Sequence, residues 1–263
     1  MAERSGTSRP FVPGERVLLV DSKDRRYLVT LREGAEFHSH AGVTPHADIL
    51  GREEGTTVRS GTGARYLVVR PTLSDFVLSM PRGAQVIYPK DLGPLLLLVD
   101  VFPGARVLEA GVGSGALSMA LVRAGASVIG YEVRDDFAAK ARANVESFLG
   151  PGSEYTVVTR DVYEGIEETG LDRVVLDLPE PWRVVPHARQ ALHPGGILVS
   201  YLPSIVQVAQ LRDALAAGAF GLARSIEVLE RSWHLQGQAV RPDHRMVAHT
   251  GFLTSARLLA PES

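Results

Sequence analysis

Cysteine is absent from this 263-residue chain. Its absence excludes disulfide bonds, thiolate metal ligands and a cysteine nucleophile. Also absent is any apolar run of about eighteen residues, the length that a membrane-spanning helix needs. The most apolar segment, Leu92 to Phe102, is interrupted by Pro94 and Asp100, and the N-terminal MAERSGTSRP lacks the apolar core of a signal peptide. These absences predict a cytoplasmic protein that does not associate with a membrane.

A strong excess of charge of either sign is missing as well. The chain has 28 lysine and arginine residues against 30 aspartate and glutamate residues, a net charge of −2. This balance excludes a protein that coats nucleic acid through bulk charge alone, but it leaves a local basic patch open. Basic side chains are dense between Arg4 and Arg70, yet acids are interspersed there, which is typical of a solvated surface. A content of 45% hydrophobic and 22% charged residues predicts a globular protein with a substantial core.

Two regions of the chain have different patterns. Up to Arg70 the segments are short and rich in β-forming residues: RVLLVD, RRYLVTL, ADILG, TTVRS and ARYLVVRP. Turn residues separate them, which predicts a small antiparallel β domain over residues 1–72. Beyond it, residues 73–263 alternate apolar segments with helical patterns, which is typical of βα units and a parallel sheet.

The larger region contains five predicted strands with helices between them. The strands are Arg106–Ala110, Ser127–Glu132, Thr156–Asp161, Arg173–Leu178 and Gly196–Tyr201, and the helices are Gly115–Ala124, Asp135–Phe148, Val184–Ala191 and Ser204–Ala217. Two further strands, Ser225–Trp233 and Met246–Leu259, follow without a helix between them. A parallel sheet that ends in an antiparallel pair favours the Rossmann-like α/β fold of class I S-adenosylmethionine-dependent methyltransferases. The predicted sheet is mostly parallel and seven-stranded.

A glycine-rich turn follows the first strand of this region, in VLEAGVGSGALSMAL from Val107 to Leu121. One interpretation is purely structural, a sharp turn from a strand into a packed helix. A second is a dinucleotide site, since Gly111, Gly113 and Ala116 satisfy G-x-G-x-x-G/A and Glu132 lies near the expected distance. A P-loop is excluded because no Gly-Lys-Ser/Thr follows. The glycines alone do not separate a dinucleotide from S-adenosylmethionine.

The acids at neighbouring strand ends decide between these ligands. Glu109 precedes the glycines, Glu132 closes the second strand, Asp161 lies in RDV at the end of the third, and Asp177 begins DLPEPW after the fourth. Open α/β sheets bind ligands at the carboxyl ends of their strands. A series of carboxylates there suits a cationic sulfonium better than a pyrophosphate. The sequence therefore predicts S-adenosylmethionine as the cofactor.

DLPEPW resembles the Asp/Asn-Pro-Pro-aromatic motif of methyltransferases that act on amino groups of planar bases, although Leu178 intervenes before Pro179. The alternative makes Asp177 a helix cap and Trp182 a core residue. Methyl transfer from a sulfonium needs positioning and charge stabilisation more than acid–base chemistry. A methyl group on adenine N1 makes the ring cationic, and a carboxylate that accepts a hydrogen bond from the exocyclic amine stabilises that charge. Asp177 is the candidate for this role.

Several motifs together resemble one family. QVIYPKD, EAGVGSGALS, DLPEPW, YLPS and VRPDHRMVAHTGFL are similar to the TrmI family of tRNA (adenine-58-N1)-methyltransferases, in its bacterial, actinobacterial-type form. The similarity runs from about Gly14 to Leu259 and includes the N-terminal β segments. It implies methylation of adenine 58 in the tRNA T-loop to 1-methyladenosine, with tRNA as partner, a homotetrameric assembly and no metal. An alternative is a class I methyltransferase with a different acceptor: another RNA base, a protein carboxylate or a small molecule.

The resemblance also implies residue roles. Asp177, Tyr88 and Tyr201 are the expected catalytic residues, with the tyrosines flanking the target base; a core position is the alternative for Tyr88. The expected cofactor-binding residues are Gln85, Glu109, Gly111, Val112, Gly113, Ser114, Gly115, Glu132, Arg160, Asp161, Val162 and Asp177. Among them Gln85 would contact the methionine part, Glu132 the ribose and Asp161 the adenine. Expected contacts to RNA phosphate or a neighbouring subunit are Arg241, His244, Arg245 and His249.

Overall fold

The structure is a computed structural model that describes residues 9–80, 83 and 85–261. The chain divides into two compact units, one ending at Met80 and one formed by the remainder. Among the described residues, no helix has the length and apolar character needed to cross a bilayer.

The first unit is a small β structure. Its elements are β1 (Arg16–Asp21), β2 (Arg26–Thr30), β3 (Glu36–Ser39), β4 (Gly42–Pro45), β5 (Thr57–Arg59), β6 (Arg65–Val69) and α1 (Leu73–Ser79). Four strands form an antiparallel sheet in the order β2-β1-β6-β5, and β3 pairs with β4 in a separate hairpin. Alternate side chains of β1 and β6 point inward, so that Val17, Leu19, Tyr66 and Val68 form its core.

Two features of this unit differ from the sequence pattern. ADILG is not a strand, because His46–Asp48 form a short 3₁₀ helix and a turn follows. The hairpin of β3 and β4 was not predicted. Glu36 and His38 of β3 are exposed, and Phe37 is the one large apolar side chain of the strand. The alternation of apolar and polar residues is therefore too short to predict a strand.

Helix α1 belongs to the first unit, although the sequence pattern placed the boundary at residue 72. Thr72 caps the helix by accepting a hydrogen bond from the amide of Asp75. The Asp75 carboxylate lies 2.6 Å from the Arg26 guanidinium of β2, and the Arg16 guanidinium lies 4.8 Å from the centre of the Phe76 ring. These contacts hold α1 against the β strands, and the unit therefore extends to Met80.

The second unit is built on a large sheet with helices packed against it. Its elements are α2 (Pro89–Val99), β7 (Arg106–Ala110), α3 (Ala116–Arg123), β8 (Ser127–Glu132), α4 (Asp135–Leu149), β9 (Tyr155–Thr159), β10 (Leu171–Leu176), α5 (Val185–Ala191), β11 (Leu192–Leu202), α6 (Ile205–Ala217), β12 (Phe220–Glu227), β13 (Trp233–Gln236), β14 (Ala239–Pro242) and β15 (Phe252–Leu258). Seven strands pair in the order β12-β15-β11-β10-β7-β8-β9. Strand β15 is antiparallel to both neighbours and the other pairs are parallel. The predicted seven-stranded, mostly parallel sheet is confirmed.

The last two strands of the sheet begin and end elsewhere than predicted. Strand β12 begins at Phe220 rather than at Ser225 and ends at Glu227 rather than at Trp233, and β15 begins at Phe252 rather than at Met246. Between them the separate hairpin of β13 and β14 occupies the chain. The hairpin has exposed apolar side chains, namely Trp233, Leu235 and Val240. Because apolar residues were interpreted as core positions, part of the hairpin was assigned to the strands of the large sheet.

The order of the central strands positions the site. Strand β7 lies between β8 and β10, so the chain moves in opposite directions across the sheet after β7 and after β9. In open α/β sheets such a reversal opens a crevice outside the carboxyl ends of the strands. Glu109 in β7, Glu132 at the end of β8 and Asp177 just after β10 therefore meet at one edge of the sheet.

Candidate active site

A cavity of about 300 Å³ lies at this edge of the sheet, at the lower end of the range for small-molecule sites. Three carboxylates and the glycine turn share it with a segment that precedes α2. Its lining residues are Gln85, Val86, Ile87, Glu109, Gly111, Val112, Gly113, Ser114, Ala116, Leu117, Glu132, Arg134, Phe137 and Asp177. The cavity brings together eight of the residues expected to bind cofactor: Gln85, Glu109, Gly111, Val112, Gly113, Ser114, Glu132 and Asp177. Their contacts to cofactor stay predictions.

Glu109 is the most deeply buried of these carboxyls, with 1% of its surface exposed. Its Oε2 accepts a hydrogen bond of 2.6 Å from the Ser118 hydroxyl of α3. Its Oε1 is buried and has no hydrogen-bond partner among the described residues. Burial raises the pKa of Glu109 to about 8, and the negative charges of Asp177 and Glu132 act in the same direction. A cationic ligand in the cavity would offset both the cost of burying an ionised Glu109 and its repulsion by Asp177 and Glu132.

Glu132 closes the glycine turn from the neighbouring strand. Its Oε2 accepts a hydrogen bond of 3.0 Å from the Gly113 amide, and its Oε1 accepts one of 3.1 Å from the Arg134 amide. The carboxylate is thereby fixed in one orientation at the end of β8. A carboxylate held this way is suited to a pair of ribose hydroxyl groups.

Gly111 is required by the close approach of two strands. Its φ is +83°, and a Cβ at this position would lie 2.1 Å from the carbonyl oxygen of Asp177. The Gly111 amide donates to the Tyr131 carbonyl of β8, and the Asp177 amide donates to the Ala110 carbonyl. The turn is therefore held between β8 and the segment after β10, and a side chain at residue 111 would separate them.

Asp177 lies in the cavity as a carboxyl that is costly to ionise. Burial raises its pKa to about 7. The alternative role for DLPEPW, with Asp177 as a helix cap, does not fit: the 3₁₀ helix Pro181–Arg183 begins beyond it, and no side chain caps that helix. Trp182 is not fully buried, and it lines a second cavity with residues of α5 and α6.

Four of the expected cofactor residues do not line the cavity. Asp161 accepts a hydrogen bond of 2.9 Å from the Tyr163 amide, and Val162 is buried in the core. The Arg160 guanidinium contacts Glu167 at 2.5 Å. The fourth, Gly115, begins α3 and packs on α4. Their contacts to cofactor stay predictions.

Of the two tyrosines expected beside the target base, Tyr201 lies within electrostatic reach of both Asp177 and Tyr88. Tyr88 is the residue before the first turn of α2, and Tyr201 lies near the end of β11. Burial raises the pKa of Tyr201 to about 12, and the charges of Asp91, Asp177 and Tyr88 add to the effect, which places these groups within electrostatic reach of its hydroxyl. Both rings are half-buried, and neither tyrosine belongs to the fully buried core.

Six cavity residues were not among the expected site residues: Val86, Ile87, Ala116, Leu117, Arg134 and Phe137. The last two lie at the start of α4. The Arg134 guanidinium lies 3.9 Å from the centre of the Phe137 ring and forms an ion pair with Asp136. The signal available in the sequence was their position, immediately after Glu132 at the start of α4.

The four residues expected to contact RNA lie outside the cavity. Arg241, His244 and Arg245 are exposed on the segment that includes β14. His249 has internal partners: its Nδ1 lies 2.7 Å from Glu227 and its Nε2 lies 2.9 Å from the Pro203 carbonyl. The Glu227 hydrogen bond, followed by that to Pro203, raises the pKa of His249. The role of the four expected residues, Arg241, His244, Arg245 and His249, in RNA binding stays a prediction.

No group of metal-binding side chains is present among the described residues.

In comparison with known families, residues 65–241 match the family described as tRNA methyltransferase complex GCD14 subunit, and residues 10–58 match that described as TrmI-like N-terminal. The chain belongs to this family of tRNA methyltransferases. The second match lies within the N-terminal unit, and the first begins at β6 of that unit and covers most of the Rossmann-like unit.

Individual relatives agree with the family match. The tRNA (adenine(58)-N(1))-methyltransferase TrmI of Thermus thermophilus is 41% identical over 244 residues, which cover 92% of this chain and 96% of that protein. The crystal structure of tRNA (m1A58) methyltransferase TrmI from Aquifex aeolicus has a TM-score of 0.85 at 28% identity, covering 96% of this chain and 100% of that one. A crystal structure described as a SAM-dependent O-methyltransferase from Thermotoga maritima has a TM-score of 0.92 at 31% identity, covering 96% of both chains.

The cavity fits the cofactor of this family. Besides Glu109 Oε1, the Ser114 hydroxyl is buried and has no hydrogen-bond partner among the described residues, so two polar atoms of the cavity are left for a ligand. Three carboxylates suit a ligand with a sulfonium and an ammonium group. The protein is S-adenosylmethionine-dependent, as the family and the fold require.

Proposed function

We propose that this protein transfers a methyl group from S-adenosylmethionine to N1 of adenine 58 in the T-loop of tRNA and forms 1-methyladenosine. The observation that carries the proposal is the placement of Asp177, which lines the cofactor cavity and lies within electrostatic reach of the Tyr201 hydroxyl. An acceptor that reaches Asp177 is therefore next to the cofactor. The relatives are tRNA methyltransferases that act on adenine 58, and the exocyclic amine of adenine can donate a hydrogen bond to the Asp177 carboxylate.

Four groups of the cavity would hold the cofactor. Glu109 Oε1 and the Ser114 hydroxyl are free to bind its polar atoms, Glu132 would accept its ribose hydroxyls, and Gln85 would contact its methionine part. When bound, S-adenosylmethionine supplies a methyl group made electrophilic by the positive sulfonium. The carboxylates would stabilise that cation, and because Glu109 is buried its attraction for a positive charge is screened less than at the surface.

Asp177 would act on the acceptor base. Its carboxylate accepts a hydrogen bond from the exocyclic amine of adenine and stabilises the positive charge that the ring gains at N1. Tyr88 and Tyr201 would stack on or border the flipped base, since every base presents a flat face to an aromatic ring. The residues need only position the base and stabilise charge, because no proton must be removed from N1 of neutral adenine.

The assembly and the RNA surface belong to the same proposal. A homotetramer in the cytoplasm would combine the exposed Arg241, His244 and Arg245 of several subunits, which helps a chain of net charge −2 to bind a polyanion.

The test uses purified protein, an unmodified tRNA transcript and S-adenosylmethionine with a labelled methyl group. We expect the label in 1-methyladenosine after nucleoside analysis. The control is the same transcript with guanine at position 58, which should accept no label. Label in another nucleoside, or equal labelling of the control transcript, contradicts the proposal.

A second candidate acceptor has one observation in its favour. The Thermotoga maritima structure with the TM-score of 0.92 is described as an O-methyltransferase. A small molecule or a protein carboxylate would then replace the base beside Asp177. This candidate requires that unmodified tRNA is not methylated while S-adenosylhomocysteine still raises the melting temperature of the protein.

Cofactor affinity is expected to increase with pH between pH 6 and pH 8. In the free protein the pKa of Glu109 is raised to about 8 and that of Asp177 to about 7, so both are largely protonated at pH 6. A cationic ligand binds the ionised forms, and each carboxyl that must lose its proton changes the affinity by up to about tenfold per pH unit below its pKa. We expect S-adenosylmethionine to bind at least about tenfold more tightly at pH 8.

Calorimetry in two buffers of different ionisation enthalpy measures this directly as protons released on binding. The variant Glu109→Gln should release fewer protons and show a shallower pH dependence. An unchanged proton count in Glu109→Gln would assign the effect to another group.

A further inference from the structure

A buried ion pair lies in the first turn of α2, within the QVIYPKD motif. Asp91 is fully buried, and the side chain of Lys90 is 3% exposed. Lys90 Nζ donates a hydrogen bond of 2.8 Å to Asp91 Oδ1. A buried pair of this kind is weak support for stability by itself, because apolar side chains of similar size often serve as well. Its partners indicate a different role.

The pair joins three segments that are distant in the sequence. Lys90 Nζ also donates to the Val228 carbonyl at 2.6 Å, in the segment that follows β12. Asp91 Oδ2 accepts a hydrogen bond of 2.6 Å from the Thr250 hydroxyl, 159 residues further along the chain. Both carboxylate oxygens of Asp91 are thus satisfied by defined donors, and the start of α2 is fixed to the segment that precedes β15.

Thr250 connects this pair to Tyr201. The Thr250 side chain neighbours the Tyr201 hydroxyl, and its interaction lowers the pKa of Tyr201 against the larger raising effect of burial. Asp91 accepts the hydroxyl proton of Thr250, so the Thr250 side chain is held in one orientation beside Tyr201.

The neighbouring residue fixes the Tyr201 ring from its face. A Cβ on Gly251 would lie 2.4 Å from Tyr201 Cζ, so the ring rests directly on the backbone of residue 251. The other tyrosine of the site, Tyr88, immediately precedes α2 and so lies at the opposite end of the same connection.

We propose that Asp91 and Thr250 are positioning residues, which orient Tyr201 and set its separation from Tyr88 and thereby the width of the pocket for the target base. This inference rests on the proposed function for the identity of the base. The connection acts on the acceptor side only, because neither Asp91 nor Thr250 lines the cofactor cavity.

The first test replaces Thr250 by valine, which keeps the shape of the side chain and removes the hydroxyl. We expect kcat/KM for tRNA to fall about tenfold, mainly through a misplaced acceptor, while the affinity for S-adenosylhomocysteine is unchanged. Thr250→Ser keeps the hydroxyl and should restore most of the activity.

A second variant moves the ring without touching the ion pair. Gly251→Ala introduces a methyl group against Tyr201 Cζ and should lower kcat/KM for tRNA with the same selectivity. Gly93→Ala is the matched control, because a Cβ at that position in α2 meets no atom within 4 Å among the described residues. It should leave activity unchanged.

A readout that does not depend on activity separates this inference from the proposed function. In protein labelled with ¹³Cζ-tyrosine, the variant Tyr201→Phe identifies the Tyr201 signal by its loss. Thr250→Val and Gly251→Ala should shift that signal and Thr250→Ser should leave it near its original position. If both variants leave the signal and kcat/KM unchanged, or if S-adenosylhomocysteine affinity falls by the same factor as kcat/KM, the inference is wrong. If the wild-type protein does not methylate tRNA, the proposed function fails, and the Tyr201 signal still decides the positioning.

Discussion

Replacing Asp177 by asparagine is expected to lower the kcat for tRNA methylation about a hundredfold, a loss of about 3 kcal/mol in transition-state stabilisation. Asparagine keeps the size of the side chain and an oxygen that accepts a hydrogen bond, but it removes the negative charge opposite the ring that becomes cationic. Single-turnover measurements with tRNA and S-adenosylmethionine both saturating at every pH report this step, because the pH dependence of cofactor binding through Glu109 then does not enter the rate. Burial raises the pKa of Asp177 to about 7, so the wild-type rate should also increase between pH 6 and pH 8, and the Asp177→Asn rate should not.

The control for this substitution is Asp213→Asn, which makes the same chemical change on the exposed face of α6. It should leave kcat unchanged. Asp177→Asn should retain binding of S-adenosylhomocysteine, measured by calorimetry, because Glu109 and Glu132 remain. A kcat within a factor of two of the wild type would remove Asp177 from the proposed role.

The second large effect is expected for Gly111→Ala. The added Cβ would lie 2.1 Å from the carbonyl oxygen of Asp177, where a backbone atom cannot move without opening the contact between β7 and β10. The positive φ of +83° adds a conformational cost of about 1 kcal/mol. We expect a loss of about 3 kcal/mol in the free energy of unfolding and a drop of about a hundredfold in cofactor affinity.

Gly104→Ala separates the two contributions. Gly104 has a φ of +85°, but a Cβ there meets no atom within 4 Å among the described residues. Gly104→Ala should lower the free energy of unfolding by only about 1 kcal/mol, the cost of a positive φ for alanine. It should not affect cofactor binding. Chemical denaturation and calorimetry on the two variants measure both quantities. Equal destabilisation by the two variants would show that the close approach at Gly111 is unimportant.

The sequence was informative where function depends on the ends of parallel strands. Glu109, Glu132 and Asp177 each mark the end of an apolar segment, and parallel neighbours bring such ends to one edge. Their meeting in one cavity followed from local patterns alone. The prediction for Asp161 used the same reasoning, and those for Arg160 and Val162 came from the family resemblance, yet these three residues do not line the cavity.

Contacts between distant segments were outside the reach of pattern reasoning. The sequence resemblance included QVIYPKD and VRPDHRMVAHTGFL, but nothing in either motif indicates that Asp91 binds Thr250. His249 was expected at an RNA or subunit surface; the structure leaves it exposed and also gives it two partners within the chain, Glu227 and the Pro203 carbonyl. The residue type of a histidine or an aspartate does not tell whether its side chain binds other parts of the chain or is left for a ligand. Only the partners that folding brings to the side chain distinguish these two cases.

The sequence by itself determined the fold class, the family and the carboxylates of the cofactor site, because each follows from residues that are close along the chain or repeat with the period of a strand or helix. Only the tertiary structure decided the raised pKa values of Glu109 and Asp177, the need for glycine at residue 111 and the link from Lys90 through Asp91 and Thr250 to Tyr201. These properties arise from burial and from contacts across the sheet, which depend on distances in space rather than along the chain.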